Sequence, residues 1–124
     1  MIKVLVIEDD PSLRLLWRVG LEVHGMRVIE ACDGVKGLEL ARREQPDVIT
    51  LDVMLPRLDG WSVARQLRQD ARTRDIPIVF LTARADQCDR QRGLELGAVE
   101  YITVPINPTE LPQTIEAVLE RRSQ

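Results

Sequence analysis

Apolar runs alternate with helical-period segments along the whole of this chain. Val48-Ile49-Thr50-Leu51-Asp52 is a continuous apolar stretch ending in a carboxylate. A run without polar alternation predicts a strand covered on both faces, as in a parallel sheet. Lys3-Val4-Leu5-Val6-Ile7 and Ile78-Val79-Phe80-Leu81 read the same way. The first ends at Glu8-Asp9-Asp10 and the second at Thr82. Residues 27–31 form a shorter, more polar strand suited to a sheet edge, and residues 99–104 form the last strand.

Helices fill the intervals. Asp10-Pro11 supplies an N-cap and a first-turn proline. Behind them Leu13, Leu16, Trp17, Gly20 and Leu21 share one face, until Gly25 ends the helix. Asp33-Gly34 opens a second helix with Val35, Leu38 and Ala41 inward, stopped by Pro46. A loop from Val53, closed by the Asp59-Gly60 turn signal, leads to a third helix with Trp61, Ala64 and Leu67 on one face. Residues 86–96 are helical by composition, but Ala85, Cys88 and Leu94 are nearly all their apolar face. A poorly anchored helix is a candidate for motion. Asn107-Pro108-Thr109-Glu110 reads as N-cap, N1 proline and capping-box glutamate, with Leu111, Ile115, Val118 and Leu119 as the core face behind it.

The order is therefore βα repeated five times, with short connections. Alternating strands and helices require parallel strands joined by right-handed crossovers. The expected architecture is α/β, a three-layer doubly wound sheet in one domain over residues 1–124, with strand order 2-1-3-4-5. Its switch point falls between strands 1 and 3, where open sheets bind ligands beyond the carboxyl strand ends.

Composition narrows the function classes. Seventeen basic and 20 acidic residues leave a net charge of −3, with no basic stripe, so no direct nucleic-acid contact is expected. Aromatic residues are 3% of the chain, too few for a base-stacking platform. No apolar run approaches spanning length and Met1-Ile2-Lys3-Val4 runs straight into a strand, so no membrane association and a cytoplasmic location are expected. Cys32 and Cys88 lack metal spacing and are read as structural thiols of a reducing compartment. His24, the one histidine, falls at a helix end as a surface residue rather than a ligand.

The topology brings Glu8 and Asp9 to Asp52 in one crevice, with Thr82 at the next strand end. Solvated acids at loop starts are one reading. The other is a cation site, because clustered carboxylates repel unless something positive sits among them. Hard oxygen ligands with retained waters describe Mg²⁺. There is no glycine-rich nucleotide motif and no Ser or Cys paired with His. Asp52 itself is a candidate nucleophile, since carboxylates form aspartyl-phosphate intermediates, and the Thr82 hydroxyl is a donor to a phosphoryl oxygen.

From end to end the chain resembles a response-regulator receiver domain of the CheY-like superfamily. The residues that carry the likeness are Val4-Leu5-Val6-Ile7-Glu8-Asp9-Asp10, Leu51 to Gly60, Phe80-Leu81-Thr82-Ala83-Arg84, and Gly93 to Ile102. The resemblance implies a flavodoxin-like fold and a phospho-accepting signalling domain. At most it would carry Mg²⁺-dependent self-phosphorylation and dephosphorylation. It implies that Asp52 accepts phosphate from a sensor histidine kinase or phosphotransfer protein. It implies that Glu8, Asp9, Asp52 and the Met54 carbonyl hold Mg²⁺, and that Thr82 and Tyr101 form a switch pair. An unknown downstream protein or fused output domain would read that switch. Pro105 is expected to follow a cis bond.

Two departures stand out against the family. Receivers carry lysine where this chain has Val104, and usually phenylalanine where it has Ile106. Phospho-Asp52 carries about −2 and the two acids add about −2, so Mg²⁺ leaves about −2 where a lysine would leave about −1. A unit charge at ~4 Å is worth up to ~4 kcal/mol at a surface-like dielectric. Phosphoryl uptake is then expected to persist while switching weakens. Arg84 lies two residues past Thr82, but arginine there is common in receivers that keep their lysine. The second departure is on the face formed by helix 4, strand 5 and helix 5, which receivers of the winged-helix transcription-factor type use for pairing. Val99 replaces an acid there, and Pro112-Gln113-Thr114 replaces an Ala-Arg type stretch. An atypical interaction module that acts with little phosphorylation is therefore a second reading. A haloacid-dehalogenase type phosphatase is a third, disfavoured because Met54 stands where its second aspartate belongs.

Overall fold

The computed structural model describes residues 1–122. Five strands, β1 (Lys3–Ile7), β2 (Arg27–Ala31), β3 (Val48–Leu51), β4 (Ile78–Thr82) and β5 (Glu100–Thr103), alternate with five helices. The helices are α1 (Pro11–Val23), α2 (Gly34–Glu44), α3 (Gly60–Gln69), α4 (Gln87–Glu95) and α5 (Glu110–Arg122). All neighbouring strands are parallel, in the order β2-β1-β3-β4-β5. The strands are parallel because each helix returns the chain to the same end of the sheet, so every strand points the same way. Ile7 pairs with Leu51, which sets Glu8 and Asp52 side by side at the carboxyl end of the sheet.

The sheet has a core on each face. Leu5, Ile7, Ile49, Leu51, Ile78 and Phe80 meet Leu38 and Ala41 of α2 and Trp61, Ala64 and Leu67 of α3. Val4, Val6, Val48, Val79 and Leu81 meet Trp17 and Leu21 of α1 and Leu111, Ile115 and Val118 of α5. Both faces of β3 and β4 are covered, which is why those strands carry no polar alternation. Two inward assignments are corrected. Leu16 is 41% exposed and Val35 43% exposed. α1 packs on a narrow stripe centred on Trp17 and Leu21, with Gly20 facing the Pro108 carbonyl, so Leu16 falls on the flank. The start of α2 is seated through glycines instead: a Cβ on Gly34 would meet the Leu58 carbonyl, and one on Gly37 the Ile7 side chain.

Aspartates cap three helices, and of these the sequence named Asp10 as a cap. Asp10 accepts from Ser12 N and Leu13 N, Asp33 from Lys36 N, and Asp59 from Ser62 N. The Asp59-Gly60 pair is thus a helix start rather than a free turn. Regular α5 begins at Glu110, two residues after Pro108, because the Asn107 side chain caps a turn by accepting from Thr109 N at 3.0 Å. The last strand is shorter than expected, Glu100–Thr103.

α4 is even less anchored than its sequence suggests. Gly93 is its one buried residue, and Ala85, Cys88 and Leu94 all face solvent. The missing Cβ of Gly93 lets the Tyr101 and Phe80 rings approach. The other ties are polar: Arg92 lies over the Trp61 ring at 4.7 Å, and Arg90 donates to the Tyr101 carbonyl at 3.1 Å. The α4–β5 turn is held from below by Arg68, which donates to the carbonyls of Arg74, Ile76 and Gly97. Cys32 and Cys88 are free and exposed, so neither packs as a structural thiol. His24 is exposed at the end of α1, as its position implied. Among the described residues no helix is long and apolar enough to cross a membrane.

Candidate functional site

Three carboxylates converge where β1 and β3 end. Glu8, Asp9 and Asp52 each present an oxygen within 4.8 Å of the others. The backbone enforces this: Asp52 N donates to the Ile7 carbonyl and Glu8 N to the Ala31 carbonyl, tying the strand exits together. Gly60 closes the loop beneath, since a Cβ there would come 2.2 Å from the Asp52 carbonyl oxygen. Glu8 is 4% exposed, Asp52 half-buried and Asp9 exposed.

No lysine, arginine or histidine among the described residues lies within ion-pair distance of these three acids. Burial pushes the Glu8 carboxyl up to about 8, and the Asp52 charge adds to the rise, while the hydrogen bond from Asp10 N opposes it. An acid cluster with one buried member and no cation suits a hard divalent metal, which would accept carboxylate oxygens and remove the repulsion. Met54 lies two residues past Asp52 in this rim. Its N–H donates to Asp52 Oδ1 at 3.3 Å, and its side chain is exposed.

The other site residues lie on β4 and β5. Thr82 is buried, and its Oγ1 accepts from Arg84 N at 3.3 Å. Tyr101 is buried against Phe80, with ring centroids 5.6 Å apart, and its hydroxyl donates to the Arg84 carbonyl at 2.7 Å. Burial raises the Tyr101 hydroxyl pKa, so it stays a donor. Val104 sends its N–H to the Thr82 carbonyl and packs its side chain against the α1–α5 core. The Val104–Pro105 peptide is cis.

Several participants were not read from the sequence. Arg14 Nη1 donates to the Glu8 carbonyl at 2.9 Å and more weakly to that of Asp9, bracing the strand exit that carries both acids. Arg84 forks onto Asp89, with Nε to Oδ2 at 3.1 Å and Nη2 to Oδ1 at 3.3 Å. A five-residue spacing across a loop-to-helix boundary is no helical pair, so periodicity gave no signal for it.

Comparison with known proteins agrees with this arrangement. The family model of the response regulator receiver domain matches residues 4–116. The chain is 43% identical over 121 residues to the DNA-binding dual master transcriptional regulator RpaA of Synechocystis sp., covering 98% of this chain and 50% of that protein. It is 45% identical over 119 residues to the alkaline phosphatase synthesis transcriptional regulatory protein PhoP of Bacillus subtilis, covering 96% of this chain and 49% of that protein. The chain spans about half the length of these relatives. Among solved structures it resembles the receiver domain of sensor histidine kinase PA1611 from Pseudomonas aeruginosa PAO1, which holds a magnesium ion in its active-site cleft. The TM-score is 0.87, with 33% identity over 95% of this chain and 97% of that one. With a parallel 2-1-3-4-5 sheet, an acidic cleft at its switch point and a family match over most of its length, this chain belongs to the response regulator receiver domains, the signalling domains of two-component systems.

Proposed function

We propose that Asp52 is the phosphoryl acceptor of this receiver and that the domain switches a protein-interaction surface when it is loaded. The observation that carries the reading is the convergence of Glu8, Asp9 and Asp52 at the end of β3 with no protein cation among them. An Asp52 carboxylate oxygen attacks phosphorus, and the donor's bond to phosphorus breaks, its electron pair leaving with the donor. Glu8, Asp9, Asp52 and the Met54 carbonyl would hold Mg²⁺, which supplies charge neutralisation on the transferring group. The Thr82 hydroxyl would donate to one phosphoryl oxygen. Through Arg84, whose backbone contacts both Thr82 and Tyr101, the change would reach α4 and β5.

The donor is a sensor histidine kinase or phosphotransfer protein, and the reader is a downstream protein or a further domain of a longer chain. The relatives named above are transcriptional regulators about twice this length, so any contact with DNA belongs to such an output domain and not to this acidic one. A cytoplasmic location follows from that pairing. Val104, standing where receivers carry lysine, favours the second reading of a module that works with little phosphorylation. Incubation with a small acyl phosphate and Mg²⁺, followed by intact-mass measurement, tests the choice. A phosphoryl-mass adduct in wild type that is absent in Asp52→Asn supports the acceptor. Its absence in wild type overturns it.

A further inference from the structure

We propose that Arg84 is the cation that meets the phosphoryl group on Asp52, exchanging its fork on Asp89 for phosphoryl oxygens. This rests on the reading of Asp52 as acceptor. Loading turns the single charge of Asp52 into about −2, beside two acids that no protein cation among the described residues touches, so a positive partner is needed even with a divalent metal present. Cations occur twice on the loops that leave the carboxyl ends of the five strands, as Arg57 and Arg84. Arg57 follows Pro56 and turns toward Asp33, 3.9 Å away at the start of α2. Arg84 sits beside the site. Leu51 pairs with Phe80, so the exits of β3 and β4 are adjacent strand ends, about 4.8 Å apart. Arg84 N donates to Thr82 Oγ1, which anchors its backbone at the exit of β4, next to the β3 exit that carries the acceptor.

The ion pair it now makes is exchangeable. Arg84 is on an exposed loop, and Asp89 offers one negative charge against about two on a phosphoryl group. A guanidinium fork fits phosphate oxygens as well as it fits a carboxylate. The exchange has a consequence for α4. That helix buries Gly93 alone and is otherwise held by polar ties, of which Arg84–Asp89 secures its first turn. Moving Arg84 to the phosphoryl group removes that tie and drags the carbonyl that receives the Tyr101 hydroxyl. No proton or electron is transferred by Arg84; it changes anion partners only.

Acetyl phosphate with Mg²⁺ is the probe, and intact mass gives the loaded fraction for each variant. Arg84→Gln is expected to lower loading about tenfold, the loss of one charge-assisted bond, with Arg84→Lys intermediate. Asp89→Asn is expected to raise it by releasing the fork. Arg57→Gln is expected to match wild type. Val104→Lys in the Arg84→Gln background is expected to restore loading, which a merely structural defect would not permit. A second readout needs no variant: the Arg84 Nε–H resonance of wild type shifts when beryllofluoride and Mg²⁺ are added, together with the α4 amides. Wild-type loading in Arg84→Gln, an unmoved Arg84 resonance, or failure of the lysine rescue each overturns the proposal. Loading seen in Val104→Lys but not in wild type overturns it while leaving Asp52 as the acceptor. Loading in neither protein overturns the acceptor reading itself.

Discussion

Glu8→Gln separates the electrostatic cost of the site from its chemistry. Glu8 is nearly inaccessible and faces Asp52 and Asp9, and burial above all raises its carboxyl from 4.5 to about 8. Below pH 4.5 both folded and unfolded chains hold this proton, and it costs nothing. Between 4.5 and 8 the folded protein keeps a proton that the unfolded chain has released. Raising the pH there favours unfolding, and above 8 the full penalty stands. Each unit of displacement is worth about 1.4 kcal/mol, so the accumulated cost at pH 8 is on the order of 4 kcal/mol. Glutamine keeps an oxygen that can accept from Asp10 N and removes the charge. Urea unfolding of the metal-free protein is the assay, from pH 4.5 to 8.5, with wild type and Glu8→Gln compared so that other titrating groups cancel. The variant is expected to match wild type near pH 4.5 and to become the more stable as pH rises, by a few kcal/mol at pH 8. Added Mg²⁺ is expected to erase the wild-type decline, because a bound cation offsets the ionised cluster and displaces its proton. Parallel profiles across this range would refute the reasoning, since they would show that the folded site holds no extra proton.

Three further outcomes are expected. Calorimetric titration with Mg²⁺ shows binding in wild type and a loss of at least tenfold in Asp9→Ala, with fluorescence of Trp61, which follows the Gly60 closure of the site, as a parallel signal. Gly93→Val forces a side chain into the Tyr101 and Phe80 rings, and thermal unfolding is expected to show a loss of about 1–3 kcal/mol with altered tyrosine signals. Arg68→Met leaves the buried Ile76 carbonyl and the Gly97 carbonyl without this donor, and urea unfolding is expected to show a loss of about 1–3 kcal/mol.

Local sequence determined much of this protein because its signals are short-range. The unbroken apolar runs of β3 and β4 are buried on both faces because parallel strands are covered by helices on both sides. Asp10 caps α1 as the adjacent Pro11 announced, and the Asp33-Gly34 pair opens α2 where it was read. Five βα units leave few topologies, and the 2-1-3-4-5 order then places Glu8, Asp9 and Asp52 together, which the structure bears out. Tertiary packing decided the rest. Leu16 and Val35 carry the right spacing, yet which flank of a helix is covered depends on how its neighbours sit, and α5 and the glycine contacts of α2 leave both outside. The thin apolar face of α4 was legible, but its replacement by cation–π and carbonyl contacts was not, because those partners lie on α3 and β5. The same holds for Arg84 and Asp89. Their pairing depends on how a loop turns into a helix, and so does the position of this arginine beside Thr82.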